Sequence, residues 1–337
     1  MPENKNQFSG SLRAADALPK PSQLLVIAEP GENQALLFDR MRALVDQFSC
    51  SVELVAFRGG ADTRSSDTEP DESISDDELC AQLQAAAQAH VLKSKDFTCQ
   101  VVRAKDLSAW VIDRCNQSKV DLVLKVGHRT ENIFYQPTDW QLIRGLPCAL
   151  LLASQNKWRG KPVVLATVDV SSDSQAQQTI NSDVLAWTYL LTHDEKLEPQ
   201  VVSCIEVNRA LVDLDVVALS EVEREKEPLA KQAMQEFLNQ VGFGEAKLWS
   251  PVGEPAKKIP SVANQQKADL VVMGSVGRKG VKGVLLGNTA EKVLHNIRTD
   301  VLIIKPTPSE YAGLQQYESL WLSFQGSQPA ALSYPIR

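Results

Sequence analysis

Short apolar runs, rich in β-branched residues, alternate with helix-periodic segments along most of this chain of 337 residues. Runs of this length and continuous apolar character are typical of strands that are buried on both faces of a sheet. Strands that alternate with helices predict parallel sheets with helices packed on both faces. Ten strands are predicted, at residues 24–28, 51–57, 99–102, 120–126, 148–152, 163–168, 201–207, 245–249, 270–273 and 301–304.

The order of strands and helices repeats once, starting near residue 161. Residues 121–123 (DLV) correspond to residues 269–271 (DLV), and 150–152 (LLL) to 302–304 (LII) at nearly the same offset. The sequence therefore predicts an internal duplication into two tandem five-stranded α/β domains. The predicted segments are a flexible tail at 1–20, domains at 21–155 and 160–307, and a second flexible tail at 308–337.

Composition limits the classes of function. The net charge of -7 argues against a general nucleic-acid or membrane-surface binder. No apolar run approaches the roughly 18 residues that a membrane-spanning helix needs. The first 20 residues have no apolar signal segment, and the six cysteines form no CxxC pair. We therefore expect a cytoplasmic protein with reduced thiols, whose partners are small molecules and not nucleic acid or membrane.

A glycine-rich basic loop follows the fourth predicted strand of the second half. Glycines recur at every third position, three cations lie between them, and a helical pattern begins after Gly287. Glycine lets the backbone approach a phosphate closely, and the free N–H groups of a helix N-terminus favour an anion. The loop is therefore a candidate phosphate site. Its glycines are Gly274, Gly277, Gly280 and Gly283, and its cations are Arg278, Lys279 and Lys282.

Other glycine-loop motifs do not match this loop. The G-x-x-x-x-G-K-[ST] string of P-loop nucleotide hydrolases is absent from the sequence. A dinucleotide fingerprint would follow the first strand of a unit, not the fourth. Residues 277–280 (GRKG) fit the GxxG clamp of KH domains on RNA, but KH loops join two helices. A surface connection without any ligand stays open as the simpler alternative.

The spacing Gly274-x2-Gly277-x9-Gly287 resembles the nucleotide loop of the universal stress protein family. The duplication is also similar, because tandem members of this family carry two such domains. The resemblance covers roughly residues 21–307. It implies a Rossmann-like (flavodoxin-like) strand order of 3-2-1-4-5 in each domain, with the ligand where the first and fourth strands end. It also implies that the two domains pair through their last strands as a pseudo-dimer, and it leaves a homodimer open.

The resemblance assigns a nucleotide site to the second domain. An Asp that ends the first strand contacts the nucleoside in members that bind ATP, and Asp169 stands in that place. An equally simple role for Asp169 is to accept hydrogen bonds in the turn before the next helix. The loop glycines would present backbone N–H groups to the phosphates of ATP, with Mg²⁺ as the accompanying metal. The predicted site comprises Asp169, Gly274, Gly277, Arg278, Gly287, Asn288 and Thr289.

Two departures from the family pattern affect nucleotide binding. Asn288 stands where the family has Ser or Thr. Because Asn can still donate a hydrogen bond and cap a helix, retained phosphate contact and loss of ATP binding both stay open. In the first half, residues 125–131 (KVGHRTE) lack the glycine spacing, and Glu29 replaces the Asp that ends the first strand. The first domain is therefore predicted not to bind nucleotide.

The sequence carries no motif of a dedicated enzyme. Its four histidines lie far apart without metal-type spacing, and serine-hydrolase and zinc-protease strings are absent from it. We therefore expect no catalytic residue and no resident metal, and a protein that acts in the stress response by binding a ligand. Three alternatives stay open: a binder of a hydrophobic small molecule, a protein adaptor with an inert loop, and a weak ATPase.

Overall fold

A computed structural model describes most of the chain between residues 20 and 305. The described ranges are 20–29, 32–58, 74–88, 96–127, 137–170, 175–194, 196–207, 219–240, 243, 246–275 and 288–305. Across these ranges the chain forms ten strands and eight helices, in the alternating order that the sequence predicts. Both predicted tails lie outside them.

The first half contains five strands and four helices within the described ranges. The strands are β1 (Gln23–Ala28), β2 (Ser51–Phe57), β3 (Phe97–Val102), β4 (Leu122–Val126) and β5 (Ala149–Ala153). The helices are α1 (Gln34–Phe48), α2 (Asp76–Gln88), α3 (Leu107–Gln117) and α4 (Pro137–Gly145). Side-chain caps begin two of them, because Asn33 accepts the Leu36 N–H before α1 and Asp106 accepts the Ala109 N–H before α3.

The second half repeats this order. Its strands are β6 (Val163–Thr167), β7 (Glu198–Val202), β8 (Lys247–Trp249), β9 (Leu270–Gly274) and β10 (Asp300–Ile304). Its described helices are α5 (Gln175–Thr192), α6 (Leu219–Gln240), α7 (Pro255–Gln265) and α8 (Asn288–Asn296). The prediction of a strand at 201–207 is shifted, because β7 pairs with β6 from Glu198 onward.

All ten strands form one sheet, in the order β3-β2-β1-β4-β5-β10-β9-β6-β7-β8. Each half keeps the predicted order 3-2-1-4-5, and the five strands of one half continue into those of the other, so the two tandem five-stranded domains of the prediction are not separated here. The halves join where β5 and β10 pair antiparallel, with Leu151 opposite Leu302, while the other strand pairs are parallel. Each last strand would otherwise leave an apolar edge unpaired, and the junction satisfies both edges.

Helices cover both faces of the sheet, as predicted. Alternate residues of β1 point to opposite faces, so Leu24 and Val26 belong to one buried cluster, and Leu25 and Ile27 to the other. The first cluster includes apolar residues of α1, α2, α5 and α6. The second includes apolar residues of α3, α4, α7 and α8.

Among the helices of the described ranges, none is long and apolar enough to cross a bilayer.

Candidate functional site

A cavity of about 310 Å³ lies in the second half, where β6 and β9 end side by side. Its walls come from α5, from the residues that follow β6 and β7, and from the first turns of α7 and α8. Its lining combines polar side chains with the apolar ones of Ile180, Val184, Ile259, Met273 and Val293. Its volume is at the lower end of the roughly 300–1,000 Å³ that small-molecule sites occupy. The carboxyl ends of parallel strands are where ligands bind in folds of this kind.

The cavity brings together three residues of the predicted site, namely Asp169, Gly274 and Thr289. Asn288 is the first residue of α8, next to Thr289. The other three, Gly277, Arg278 and Gly287, lie outside the described residues. The placement of Gly277, Gly287 and Arg278 at the site therefore stays a prediction.

Asn181 of α5 holds the backbone at Asp169. The Asp169 N–H donates to Asn181 Oδ1 at 3.0 Å, and Asn181 Nδ2 donates to the Asp169 carbonyl oxygen at 2.6 Å. The side chain of Asn181 thus satisfies the hydrogen-bonding groups of the Asp169 backbone, just after β6. The Asp169 carboxylate is exposed at the mouth of the cavity, where it can interact with a ligand.

The geometry at Gly274 gives this glycine a packing role. A Cβ atom at this position would lie 2.2 Å from Ile180 Cγ1, far inside van der Waals contact. Glycine is therefore needed for α5 to approach the end of β9 this closely. The sequence motif alone attributes Gly274 to phosphate binding, and the structure adds a reason that is independent of any ligand.

Two cavity residues, Cys204 and Glu206, were not found by sequence reasoning. Burial raises the pKa of the Glu206 carboxyl, and the carboxylates of Asp169 and Glu254 raise it further. Burial also raises the pKa of the Cys204 thiol to about 12, with Glu206 the next cause. Both residues follow β7, which the sequence analysis extended too far, so their position at a strand end was not visible. The mouth of the cavity thus carries more negative charge than the loop motif predicts.

The strand pairings define which residues of the two halves correspond. Leu24 of β1 is opposite Leu122 of β4, and Val164 of β6 is opposite Leu270 of β9. Helices α4 and α8 have nine residues each and precede the last strand of their half. Three first-half residues therefore occupy the positions of cavity residues: Glu29 that of Asp169, Lys125 that of Met273, and Asp139 that of Ala290.

A buried charge cluster occupies this place in the first half. The Lys125 ammonium lies 2.5 Å from Glu29 Oε1, 3.0 Å from Asp139 Oδ1 and 3.9 Å from Glu32 Oε1. Lys125 and Asp139 are 1% and 0% exposed, so bulk water does not screen this cluster. Burial raises the pKa of Glu32 to about 8, against the opposing effect of Lys125. The side chains of the first half thus fill the space in which the second half has its cavity.

Among the residues that the structure describes, no group of three or more His, Cys, Asp or Glu side chains is placed to hold a metal ion.

Comparison with known proteins gives matches for much of the sequence. Residues 159–305 match the model of the universal stress protein family. Universal stress protein E of Escherichia coli strain K12 is 30% identical over 195 residues, which are 55% of this chain and 61% of that protein. A universal stress protein E homolog of Haemophilus influenzae is 28% identical over 207 residues, or 59% of this chain and 66% of the homolog. The chain thus matches less than two thirds of the length of these relatives.

Solved structures extend the similarity in fold to most of the chain. A functionally unknown protein from Pseudomonas aeruginosa PAO1 aligns with a TM-score of 0.66 and 21% identity, covering 90% of this chain and 98% of that one. A universal stress protein from Archaeoglobus fulgidus aligns with a TM-score of 0.58 and 14% identity, covering 85% of this chain and 98% of that one. Residues 159–305 thus match the universal stress protein family, part of the chain is similar to universal stress protein E, and the fold is similar over most of the chain.

Proposed function

We propose that this protein acts in the stress response by binding a small ligand in the second-half cavity, and that the ligand is ATP. The observation that carries the proposal is the cavity itself, which joins Asp169, Gly274 and Thr289 in the half that matches the family model. The helix N-terminus at Thr289 opens toward the cavity, and such termini favour phosphate. Mg²⁺ would enter with the nucleotide, without a site of its own on the protein.

We also propose that two domains, at residues 21–155 and 160–307, have different roles. The second binds the ligand, and the first has a structural role. The buried ion pairs of Lys125 with Glu29 and Asp139 support this assignment, since a ligand would have to displace them. Removing one partner from a buried ion pair is strongly unfavourable, so the cluster opposes ligand entry.

Equilibrium binding of labelled ATP to the full-length protein tests the proposal. Thr289→Trp places a large side chain at the mouth of the cavity, and it should abolish binding. Thr138→Trp is the matched control, because Thr138 is the second residue of α4 as Thr289 is of α8. Gly277→Trp, in the loop, should weaken binding in the same way as Thr289→Trp.

The outcomes separate the proposal from its alternatives. Binding that is lost in Thr289→Trp and kept in Thr138→Trp supports an ATP site in the second half. Absence of binding at millimolar ATP would contradict it, and would leave the protein adaptor and the binder of an apolar small molecule. Release of phosphate in proportion to bound ATP would indicate the weak ATPase instead of a binding protein.

A second candidate function is the binding of an apolar small molecule without phosphates. The apolar side chains in the lining favour it, and so do the carboxyl groups of Asp169 and Glu206, which disfavour a polyphosphate nearby. Competition between ATP and a fluorescent apolar probe distinguishes the two candidates. A probe that binds the wild-type protein but not Thr289→Trp, and that ATP does not displace, would support the apolar ligand.

Assembly and location belong to the same proposal. The last strands β5 and β10 already pair with each other inside this chain. A homodimer would therefore need another surface, and light scattering on the purified protein would detect it. We propose a cytoplasmic location, which fractionation of cells would test.

A further inference from the structure

Two thiols face each other at the edge of the sheet that β3 forms, away from the ligand cavity at β6 and β9. Cys80 lies on α2 and Cys99 on β3, the edge strand of the first half. Their sulfur atoms are 2.7 Å apart, and both residues are half-buried. The two sulfurs are thus in contact, and a small reagent can reach them from solvent.

The helix and the strand are held together beside this pair. Asp76, one helical turn before Cys80, accepts hydrogen bonds from Arg103 at 3.0 and 2.8 Å and from Arg58 at 2.8 Å. Leu83 of the same helix is buried in the core. The contact between the sulfurs is therefore fixed by neighbouring packing and ion pairs, and does not depend on the thiols alone.

We propose that Cys80 and Cys99 are a reversible oxidation site, which a hydroperoxide converts to a disulfide. The site lies outside the ligand cavity and does not depend on the proposed nucleotide binding. In the reduced protein, burial and the contact with Cys80 raise the pKa of the Cys99 thiol. Because a raised pKa makes a thiol less reactive, we assign the first attack to Cys80.

The reaction balances with hydrogen peroxide as the oxidant. The Cys80 thiolate attacks one peroxide oxygen, the O–O bond breaks, and hydroxide leaves, which makes Cys80 a sulfenic acid. The Cys99 sulfur then attacks the Cys80 sulfur and gives up its proton, and the second oxygen leaves as water. Two thiols become one disulfide while one peroxide becomes two waters. The product ties α2 covalently to the edge strand, and a dithiol reductant reverses it.

A second thiol pair provides an internal comparison. Cys148 is half-buried and hydrogen-bonded to Cys115 of α3, but Cys115 is only 6% exposed, so one thiol of this pair is shielded from solvent. Because peroxide reaches a half-buried thiol more readily than a buried one, Cys80 and Cys99 should react before this pair.

Free-thiol counting and peptide mapping on the reduced full-length protein, before and after hydrogen peroxide, test the proposal. Of the six thiols, four should remain, and the cross-linked peptides should contain Cys80 and Cys99. Dithiothreitol should restore six. Peroxide should remove no pair of thiols from the Cys80→Ser and Cys99→Ser variants. It should still remove two thiols from the Cys148→Ser variant.

Three results would overturn the proposal. The first is retention of all six thiols under peroxide that oxidises a reference dithiol. The second is equal thiol loss in Cys80→Ser and in the wild-type protein. The third is a cross-link that maps to Cys115 and Cys148. Circular dichroism of each serine variant establishes that its thiol count comes from folded protein.

Discussion

At the scale of single residues, the two halves differ in what occupies the end of their fourth strand. The first half has the Lys125 ammonium among three carboxyl groups, and the second has the apolar Met273 beside an open cavity. A buried ammonium and its carboxylates require one another, because each alone would be an unpaired buried charge. A few side chains therefore decide whether this place in the fold is filled or free.

Lys125→Met gives the first half the residue found at this place in the second. We expect it to lower the free energy of unfolding by about 3–5 kcal/mol, because the carboxyl groups of Glu29 and Asp139 lose their buried partner. Urea unfolding followed by circular dichroism measures the change.

The double variant Lys125→Met/Asp139→Ala is the control for this prediction. Its second substitution gives the first half the residue of the corresponding position in the second half, which is Ala290. It removes a carboxyl group together with its cation, so it should be more stable than Lys125→Met alone. A single variant within about 0.5 kcal/mol of the wild type would show that the cluster does not stabilise the fold.

Glu32 predicts a specific pH dependence of stability. Burial raises its pKa to about 8 in the folded protein, from a usual value of 4.5. Between these values the unfolded chain has lost the proton that the folded chain retains. Stability should therefore fall as pH rises through this window, with Glu32 contributing up to about 1.4 kcal/mol per pH unit.

Glu32→Gln removes this contribution, so its stability should fall less steeply between pH 5 and 8. Chemical denaturation at a series of pH values measures both curves. Above pH 8 the curves should run parallel, because Glu32 is then ionised in both states. Identical slopes below pH 8 would mean that Glu32 titrates normally in the folded protein.

At the scale of elements, the packing of α5 on the end of β9 places one wall of the cavity. Gly274 and Ile180 make the contact, and Asn181 fixes the same helix to the backbone after β6. The position of α5, which lines the cavity, is thus fixed relative to the ends of both β6 and β9.

Gly274→Ala should lower the free energy of unfolding by about 1–3 kcal/mol, because its Cβ would overlap Ile180. Gly160→Ala is the matched control, since a Cβ there has no atom within 4 Å. It should stay within about 0.5 kcal/mol of the wild type. Thermal and urea unfolding of both variants test the pair, and equal stability of the two would refute the packing role of Gly274.

At the scale of the whole molecule, a buried carboxylate joins the two halves where β5 meets β10. Asp300, 0% exposed, lies 2.5 Å from Arg40 Nε of the first half. It also accepts hydrogen bonds at 2.8 Å from the Ser154 N–H and from Trp158 Nε1. Burial raises the pKa of Asp300 even though Arg40 opposes the shift. The junction of the halves thus rests on strand pairing and on a satisfied buried charge.

Asp300→Ala should lower the free energy of unfolding by about 3–5 kcal/mol, because it leaves the Arg40 guanidinium buried without its partner. Asp39→Ala is the control, since Asp39 pairs with Arg42 in an exposed i,i+3 bridge. Loss of such a bridge should cost at most about 1 kcal/mol. Denaturant unfolding of the two variants gives the comparison, and similar values for both would contradict the role of Asp300.

The sequence by itself determined the α/β class, the repeated order of strands and helices, and the approximate place of most strands. Continuous apolar runs of strand length have few alternatives when helical segments separate them, so these features follow from local pattern. The strand that begins at Glu198 was placed less well, because its first residues are polar and Pro199 interrupts the apolar run. Asp169 was predicted from the family resemblance and Gly274 from the glycine spacing, and both line the same cavity.

Pairing through the last strands was expected from the resemblance, but only the tertiary structure decided its antiparallel register and the side chains that surround the end of the fourth strand in each half. The pairing of β5 with β10 depends on edges that are far apart in sequence, and the Arg40–Asp300 pair spans 260 residues. The contacts of Lys125, the steric need for Gly274 and the approach of Cys80 to Cys99 are equally non-local. Distances of this kind are set by packing between elements, which local sequence patterns do not encode.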